Sequence, residues 1–122
     1  MNKKILITDD EEQIRKLISL KLKMKGYKIF TASDGKYALD ILNNENIDLL
    51  LTDLIMPNEE GIGTILKAKA AFPDLKIIAM SGGGRIGPAG YLDTAKQLGA
   101  DEILTKPIDF ELLNSMLENL LK

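Results

Sequence analysis

Lys4-Ile5-Leu6-Ile7-Thr8-Asp9-Asp10-Glu11-Glu12 joins a compact apolar run to four successive carboxylates. KILIT is too short for a useful helix and has no polar alternation, so it reads as a strand buried on both faces. Strands of that kind belong to parallel sheets covered by helices. The abrupt change to acid at Asp9 marks where the strand leaves the core.

The same alternation continues outward from this stretch. Glu12–Lys25 carries Ile14, Leu17, Ile18 and Leu22 at helical spacing, on one face. Gly26 stands where a helix C-terminus takes a residue free to adopt positive φ. Lys28–Ala32 is a second strand, Ser33-Asp34-Gly35 is turn chemistry, and Lys36–Asn44 is a short helix carrying Tyr37, Ala38, Ile41 and Leu42. Ile47–Thr52 is a central strand. Ile62–Phe72 is a helix closed by Pro73-Asp74. Lys76–Met80 is a fourth strand, followed by a glycine-rich loop over Ser81–Gly90. Tyr91–Leu98 reads as a helix ended by Gly99, and Glu102–Thr105 as a fifth strand. Asp109–Leu121 is a last helix whose apolar stripe includes Leu112, Leu113, Met116, Leu117, Leu120 and Leu121.

Five strands alternating with five helices predict an α/β, doubly wound parallel sheet. Right-handed crossovers leave few arrangements. Among them the flavodoxin-like order 2-1-3-4-5 is the expectation. The 122 residues suit one domain over 1–122, with no repeat, linker or low-complexity tract.

Composition removes several kinds of function. Sixteen basic and eighteen acidic residues give a net charge of −2. Overall positive charge for a phosphate backbone is lacking, so nucleic-acid binding is not expected. Cys and His are both absent. Thiolate chemistry is excluded, and carboxylates, Lys, Tyr and hydroxyls are left for any reaction. No segment is long and apolar enough to span a bilayer. The N-terminal apolar run is too short for a signal peptide. A cytoplasmic protein without membrane association is the expectation.

In an open parallel sheet, sites form outside the carboxyl ends of the strands, near the point where strand order reverses. Asp9 and Asp10 follow the first strand, Asp53 the third, Ser81 the fourth and Lys106 the fifth. Taken singly, each has an ordinary structural role. Asp9-Asp10 suits a helix N-terminus, Asp53 a turn cap, and Lys106-Pro107 a loop. Taken together at four strand ends, they predict one crevice. Three carboxylates there need a cation or raised pKa values to coexist. Oxygen-only ligands suit a hard ion such as Mg²⁺. Lys106 adds a compact positive charge and Ser81 a hydroxyl donor. An Asp beside a divalent ion, a Lys and a hydroxyl can form an aspartyl-phosphate.

The chain resembles the receiver domain of response regulators over essentially its whole length. Ile5-Leu6-Ile7-Thr8-Asp9-Asp10-Glu11 carries the resemblance, with Asp53-Leu54-Ile55-Met56-Pro57 and Gly61. So do Ala79-Met80-Ser81-Gly82 and Gly99-Ala100-Asp101 leading to Leu104-Thr105-Lys106-Pro107. The resemblance implies a CheY-like phosphoacceptor in a two-component system, with Asp53 taking a phosphoryl group from a phosphohistidine on a sensor histidine kinase or phosphotransfer protein. It implies direct Mg²⁺ contacts from Asp10, Asp53 and the backbone carbonyl of Ile55, with Asp9 acting partly through water. Ser81 and Lys106 would hold the phosphoryl group, and the Lys106–Pro107 peptide would be cis. An unknown downstream protein would read the phosphorylated state.

Three positions depart from the family pattern. Ile103 stands where an aromatic rotamer switch is common, Glu60 replaces the usual Asp before Gly61, and the loop after Ser81 is longer and richer in glycine. Ser81, Gly82 and Ile103 are therefore the candidate switch residues, with Ile103 a stiff β-branched side chain rather than a ring.

Other readings compete. Gly82, Gly84 and Gly87 satisfy G-x-G-x-x-G, a dinucleotide-binding pattern, but it follows the fourth strand rather than the first. A flavin carrier would set phosphate against Asp9-Asp10, which repel it. An aspartyl phosphatase wants a second Asp two residues after Asp53, where Ile55 stands. A receiver-like interaction module that is never phosphorylated is the remaining alternative.

Overall fold

The computed structural model describes residues 2–54, 60–82, 96–97 and 99–122. Its sheet has five parallel strands, β1 (Lys4–Thr8), β2 (Lys28–Ala32), β3 (Leu49–Asp53), β4 (Lys76–Gly82) and β5 (Glu102–Lys106). Their order is β2-β1-β3-β4-β5, as the sequence predicts. Four helices are described where the sequence predicts five: α1 (Glu12–Met24), α2 (Gly35–Asn44), α3 (Glu60–Ala71) and α4 (Phe110–Leu120). The expected helix over Tyr91–Leu98 lies outside the described residues except for helical backbone at Lys96 and Gln97. The rest of the glycine-rich loop beyond Gly82 also lies outside them.

Successive strand side chains point to opposite faces, and the core divides accordingly. Leu6, Leu50, Ile77 and Ala79 pack with Ala38 and Leu42 of α2 and with Ile65 and Ala68 of α3. Ile5, Ile7, Leu49, Leu51, Ile78 and Met80 face the other way, onto Ile18 and Leu22 of α1 and Leu113 and Leu117 of α4. Burial on both faces explains why β1 and β3 are continuous apolar runs.

The helix ends follow local chemistry. Gly26 has φ +97, with its N–H donating to Lys23 O and the Tyr27 N–H to Leu22 O. This is a Schellman C-terminus, which only a residue tolerant of positive φ closes without strain. Asp34 caps α2 by accepting the Tyr37 N–H at 2.8 Å. Asp109 caps α4 by accepting from Glu111 and Leu112.

Some sequence expectations need correction. Leu17, read as part of the packed face of α1, is 45% exposed. A helix turns about 100° per residue, so Leu17 stands roughly that far from Ile18, outside the stripe that Ile18 and Leu22 bury. Tyr37 and Leu112 are exposed for the same reason. β3 begins at Leu49 rather than Ile47 and includes Asp53. β4 and β5 each run past their predicted ends, because Ser81 pairs with Thr105 and Gly82 with Lys106.

The entry to β5 is clamped at the far end of the sheet. Asp101 donates its N–H to Ile77 O at 2.7 Å and accepts the Ile77 N–H on Oδ2 at 2.8 Å. Gly99 precedes it with φ +125, and a Cβ there would meet Lys69 Cγ at 2.7 Å. The clamp fixes the register that carries Lys106 level with Gly82.

Candidate acidic site at the strand ends

Four charged side chains from three strand ends meet at the carboxyl edge of the sheet. Asp53 is the last residue of the fully buried β3 and is itself 3% exposed. Asp9 follows β1 and is fully buried, whereas Asp10 beside it is exposed. One carboxylate oxygen from each of Asp9, Asp10 and Asp53 lies within 4.8 Å of the others. Lys106, the last residue of β5, reaches into this cluster. Its Nζ donates to Asp9 Oδ2 at 2.7 Å and to Asp53 Oδ2 at 3.1 Å. Of the five residues expected to share one crevice, Asp9, Asp10, Asp53 and Lys106 lie together, and Ser81 is buried near the end of β4.

Asp9 is held at every polar atom. Its N–H donates to Ala32 O at 3.3 Å, at the end of β2. Its Oδ1 accepts the Glu11 N–H at 2.9 Å. Its carbonyl accepts from Arg15 Nη1 at 2.7 Å, and Lys106 takes Oδ2. Sequence reasoning missed Arg15, and a lone Arg in the first turns of a helix gives no signal that it folds back onto the strand end.

Electrostatics within the pocket are opposed. Burial pushes the Lys106 ammonium toward the neutral form, but the hydrogen bond it donates to Asp9 and the charges of Asp53 and Asp9 outweigh it. The net direction is upward from the ordinary lysine value of 10.5. Lys106 therefore stays charged and serves as the internal counter-ion for the two buried carboxylates it bonds.

The donor set is oxygen only, with two buried carboxylates and one exposed. That combination fits a hard divalent ion keeping water on its open side. Ile55, expected to add a carbonyl, lies outside the described residues. Ser81 is fully buried near the end of β4, beside Thr105 in register. Gly82 is level with Lys106. Ile103 pairs with Ala79 and packs, partly buried, against the α2 and α3 side of the core. The Lys106–Pro107 peptide is cis, as the resemblance implies.

The sequence profile described as "Response regulator receiver domain" matches residues 5–118. "Sporulation initiation phosphotransferase F" of Bacillus subtilis (strain 168) is 35% identical over 111 residues, covering 91% of this chain and 87% of that protein. "Probable transcriptional regulator ycf27" of Cyanophora paradoxa is 34% identical over 98% of this chain but only 48% of its own length. The chain thus spans about half the length of some curated relatives it matches. The crystal structure of a response regulator receiver domain protein from Clostridium thermocellum superposes with a TM-score of 0.89 at 30% identity, covering 97% of this chain and 93% of that one.

Proposed function

From the premise that the chain belongs to the response regulator receiver domain family, we propose that it is a phosphoacceptor taking a phosphoryl group onto Asp53. Receiver domains are signalling modules of two-component systems. The observation that carries the finer reading is the setting of Asp53, buried at the end of the central strand, its Oδ2 3.1 Å from Lys106 Nζ and its carboxylate clustered with Asp9 and Asp10.

The donor is a phosphohistidine on a sensor kinase or phosphotransfer protein. A carboxylate oxygen of Asp53 attacks phosphorus, and a P–O bond forms as the P–N bond breaks. The imidazole, protonated on its other nitrogen, leaves with the bonding pair as the neutral ring. Lys106 neutralises charge on Asp53 beforehand and pairs with a phosphoryl oxygen afterwards. Ser81 donates its hydroxyl to a second oxygen. Asp9, Asp10 and Asp53, with the Ile55 carbonyl, would hold Mg²⁺, which when bound offsets negative charge on the phosphoryl oxygens. The protein thereby assists its own phosphorylation and, by the same groups, its hydrolysis.

A downstream protein reads the result through Ser81 and Gly82. Ile103 cannot supply the aromatic rotation common in the family, so the change is carried by the end of β4 and the loop after it.

Mass spectrometry after incubation with a small phosphodonor and Mg²⁺ tests the reading. One phosphoryl group is expected on wild-type protein and none on Asp53→Ala. An unmodified wild-type protein that still binds Mg²⁺ would point to the receiver-like module that is never phosphorylated.

A further inference from the structure

β2 is an outer strand of the sheet, with β1 on one side and, among the described residues, no strand on the other. The Lys28 N–H donates to Lys3 O at 2.9 Å, and Ala32 O accepts the Asp9 N–H at 3.3 Å. Alternate residues of a parallel strand bond the same neighbour. The backbone N–H and C=O groups of Ile29 and Thr31 therefore point away from the sheet. An edge of this kind is a template for another strand.

The two flanks of the edge differ. On the α1 side, a groove beside Ile29 and Thr31 is lined by Glu12, Arg15, Lys16 and Lys23. Glu12 is taken by Lys16 at 3.1 Å, and Arg15 is tied to the Asp9 carbonyl. Lys23 is exposed and has no acidic partner among the described residues. On the other side, a groove of about 330 Å³ runs between Phe30 of β2 and Tyr37 and Ile41 of α2. Its rim carries Asp40 and Glu45, and Lys4 pairs with Glu45 at 3.4 Å. The ammonium groups of Lys4 and Lys28 lie 5.9 and 5.7 Å from the Phe30 ring centroid. One flank is thus cationic and the other aromatic, with unused backbone groups between them.

We propose that an acidic extended segment of a partner protein adds to β2 as a sixth strand, its carboxylates turned to the α1 groove and its aromatic or large aliphatic side chains to the α2 groove. Successive side chains of a strand face opposite ways. Residues opposite Ile29 and Thr31 therefore meet the lysines of α1, and the residue between them meets Phe30 and Tyr37. In strand addition the main-chain bonds supply affinity and the alternate pockets supply specificity. Charge complementarity selects an acidic strand, since Arg15, Lys16 and Lys23 on one flank and Lys4 and Lys28 on the other outnumber Glu12, Asp40 and Glu45. Lysine on an edge discourages neutral strands, and the same charge favours an acidic one. A second copy of this chain fits less well, because two-fold pairing of β2 with itself sets the cationic flank of α1 against its equal. The inference is separate from phosphoacceptance and needs neither Asp53 nor a metal.

Titration of the isotope-labelled full chain with the peptide acetyl-EYEVEYE-amide tests it by NMR, with chelator present and no phosphodonor, so that the outcome does not depend on the acidic site. Saturable shifts are expected at the Ile29 and Thr31 amides, and hydrogen exchange there should slow about tenfold at saturation. The lysine analogue acetyl-KYKVKYK-amide should bind about tenfold more weakly. Raised salt should weaken the acidic peptide. Thr31→Pro removes an outward N–H and no ladder bond, so it should keep the fold and lower affinity about tenfold. Lys23→Glu, at an exposed position that leaves the core intact, should weaken the acidic peptide several-fold and improve binding of the lysine analogue. Shifts that spare Ile29 and Thr31, equal binding of the two peptides, or full affinity in Lys23→Glu or in a folded Thr31→Pro overturns the proposal. So does sedimentation as a dimer whose Ile29 and Thr31 amides are protected without peptide, which would give the edge to a second copy.

Discussion

Lys106 Nζ and Asp9 Oδ2 meet at 2.7 Å across 97 positions of sequence, closer than the 3.1 Å separating Lys106 from Asp53. The family resemblance assigns this lysine to the phosphoacceptor. The geometry makes it equally the partner of Asp9, bridging two carboxylates before any phosphoryl group arrives. In the absence of metal, its ammonium supplies the cation that a cluster of three aspartates requires.

Lys106→Met should therefore destabilise the metal-free protein by about 3 kcal/mol, the scale expected when a buried ion pair loses one partner. Mg²⁺ should recover more stability in the variant than in the wild type, because it then replaces the ammonium charge that the variant removes. Thermal denaturation with and without Mg²⁺ measures both effects. A variant as stable as the wild type, with an equal response to Mg²⁺, would refute the counter-ion role.

The raised pKa of Lys106 predicts a pH dependence of definite sign. A lysine whose folded value exceeds its unfolded value contributes stability that is complete below the unfolded value, near 10.5. That contribution disappears as pH rises through the folded value. The stability difference between wild type and Lys106→Met should hold steady at neutral and mildly alkaline pH and narrow above 10.5. Chemical denaturation of both proteins across that range decides the matter, and a gap that widened with pH would contradict the assignment.

Arg15 is expected to act as a positioning residue for the acidic cluster. Its guanidinium holds the Asp9 carbonyl at 2.7 Å and so ties α1 to the turn presenting Asp9 and Asp10. Arg15→Met should lower stability by about 1.5–3 kcal/mol, the range for a hydrogen bond to a charged group, and weaken Mg²⁺ binding several-fold. Arg15→Lys should restore part of the affinity, and Lys16→Met, on the exposed neighbour, should leave it unchanged. Isothermal titration with Mg²⁺ separates these outcomes. A variant that lost stability but bound Mg²⁺ normally would reduce Arg15 to a structural tie.

Activation should register at Ser81 and Gly82 rather than at Ile103. These two residues pair with Thr105 and Lys106, so drawing Ser81 toward a phosphoryl group must disturb both strand ends. Hydrogen exchange with and without a beryllofluoride mimic should change at Ser81, Gly82, Thr105 and Lys106, and little at Ile103, which packs into the core. A response centred on Ile103, with Ser81 unmoved, would reverse the proposed route.

Much of this architecture was legible in the sequence because its signals are local. KILIT and IDLLLT are apolar over lengths that suit only buried strands, Gly26 terminates a helix through its own φ, and the order of elements limits the sheet to few topologies. The acidic site was legible for a related reason. In a parallel sheet the carboxyl ends of the strands lie on one edge, so residues following those strands must be neighbours. What lay beyond the sequence depended on direction and register. Pairing across the sheet extended β4 to Gly82 and β5 to Lys106. Helix rotation exposed Leu17, which spacing alone had assigned to the core. The bond from Arg15 to Asp9 and the bridging of Asp9 and Asp53 by Lys106 arise where separate elements converge, and no local pattern encodes such distances. The lysines of α1 were visible as letters, but composition averaged them against acids elsewhere in the fold. Only the tertiary structure decided that Lys16 and Lys23 flank the outer edge of β2, because packing selects which side of a helix is buried.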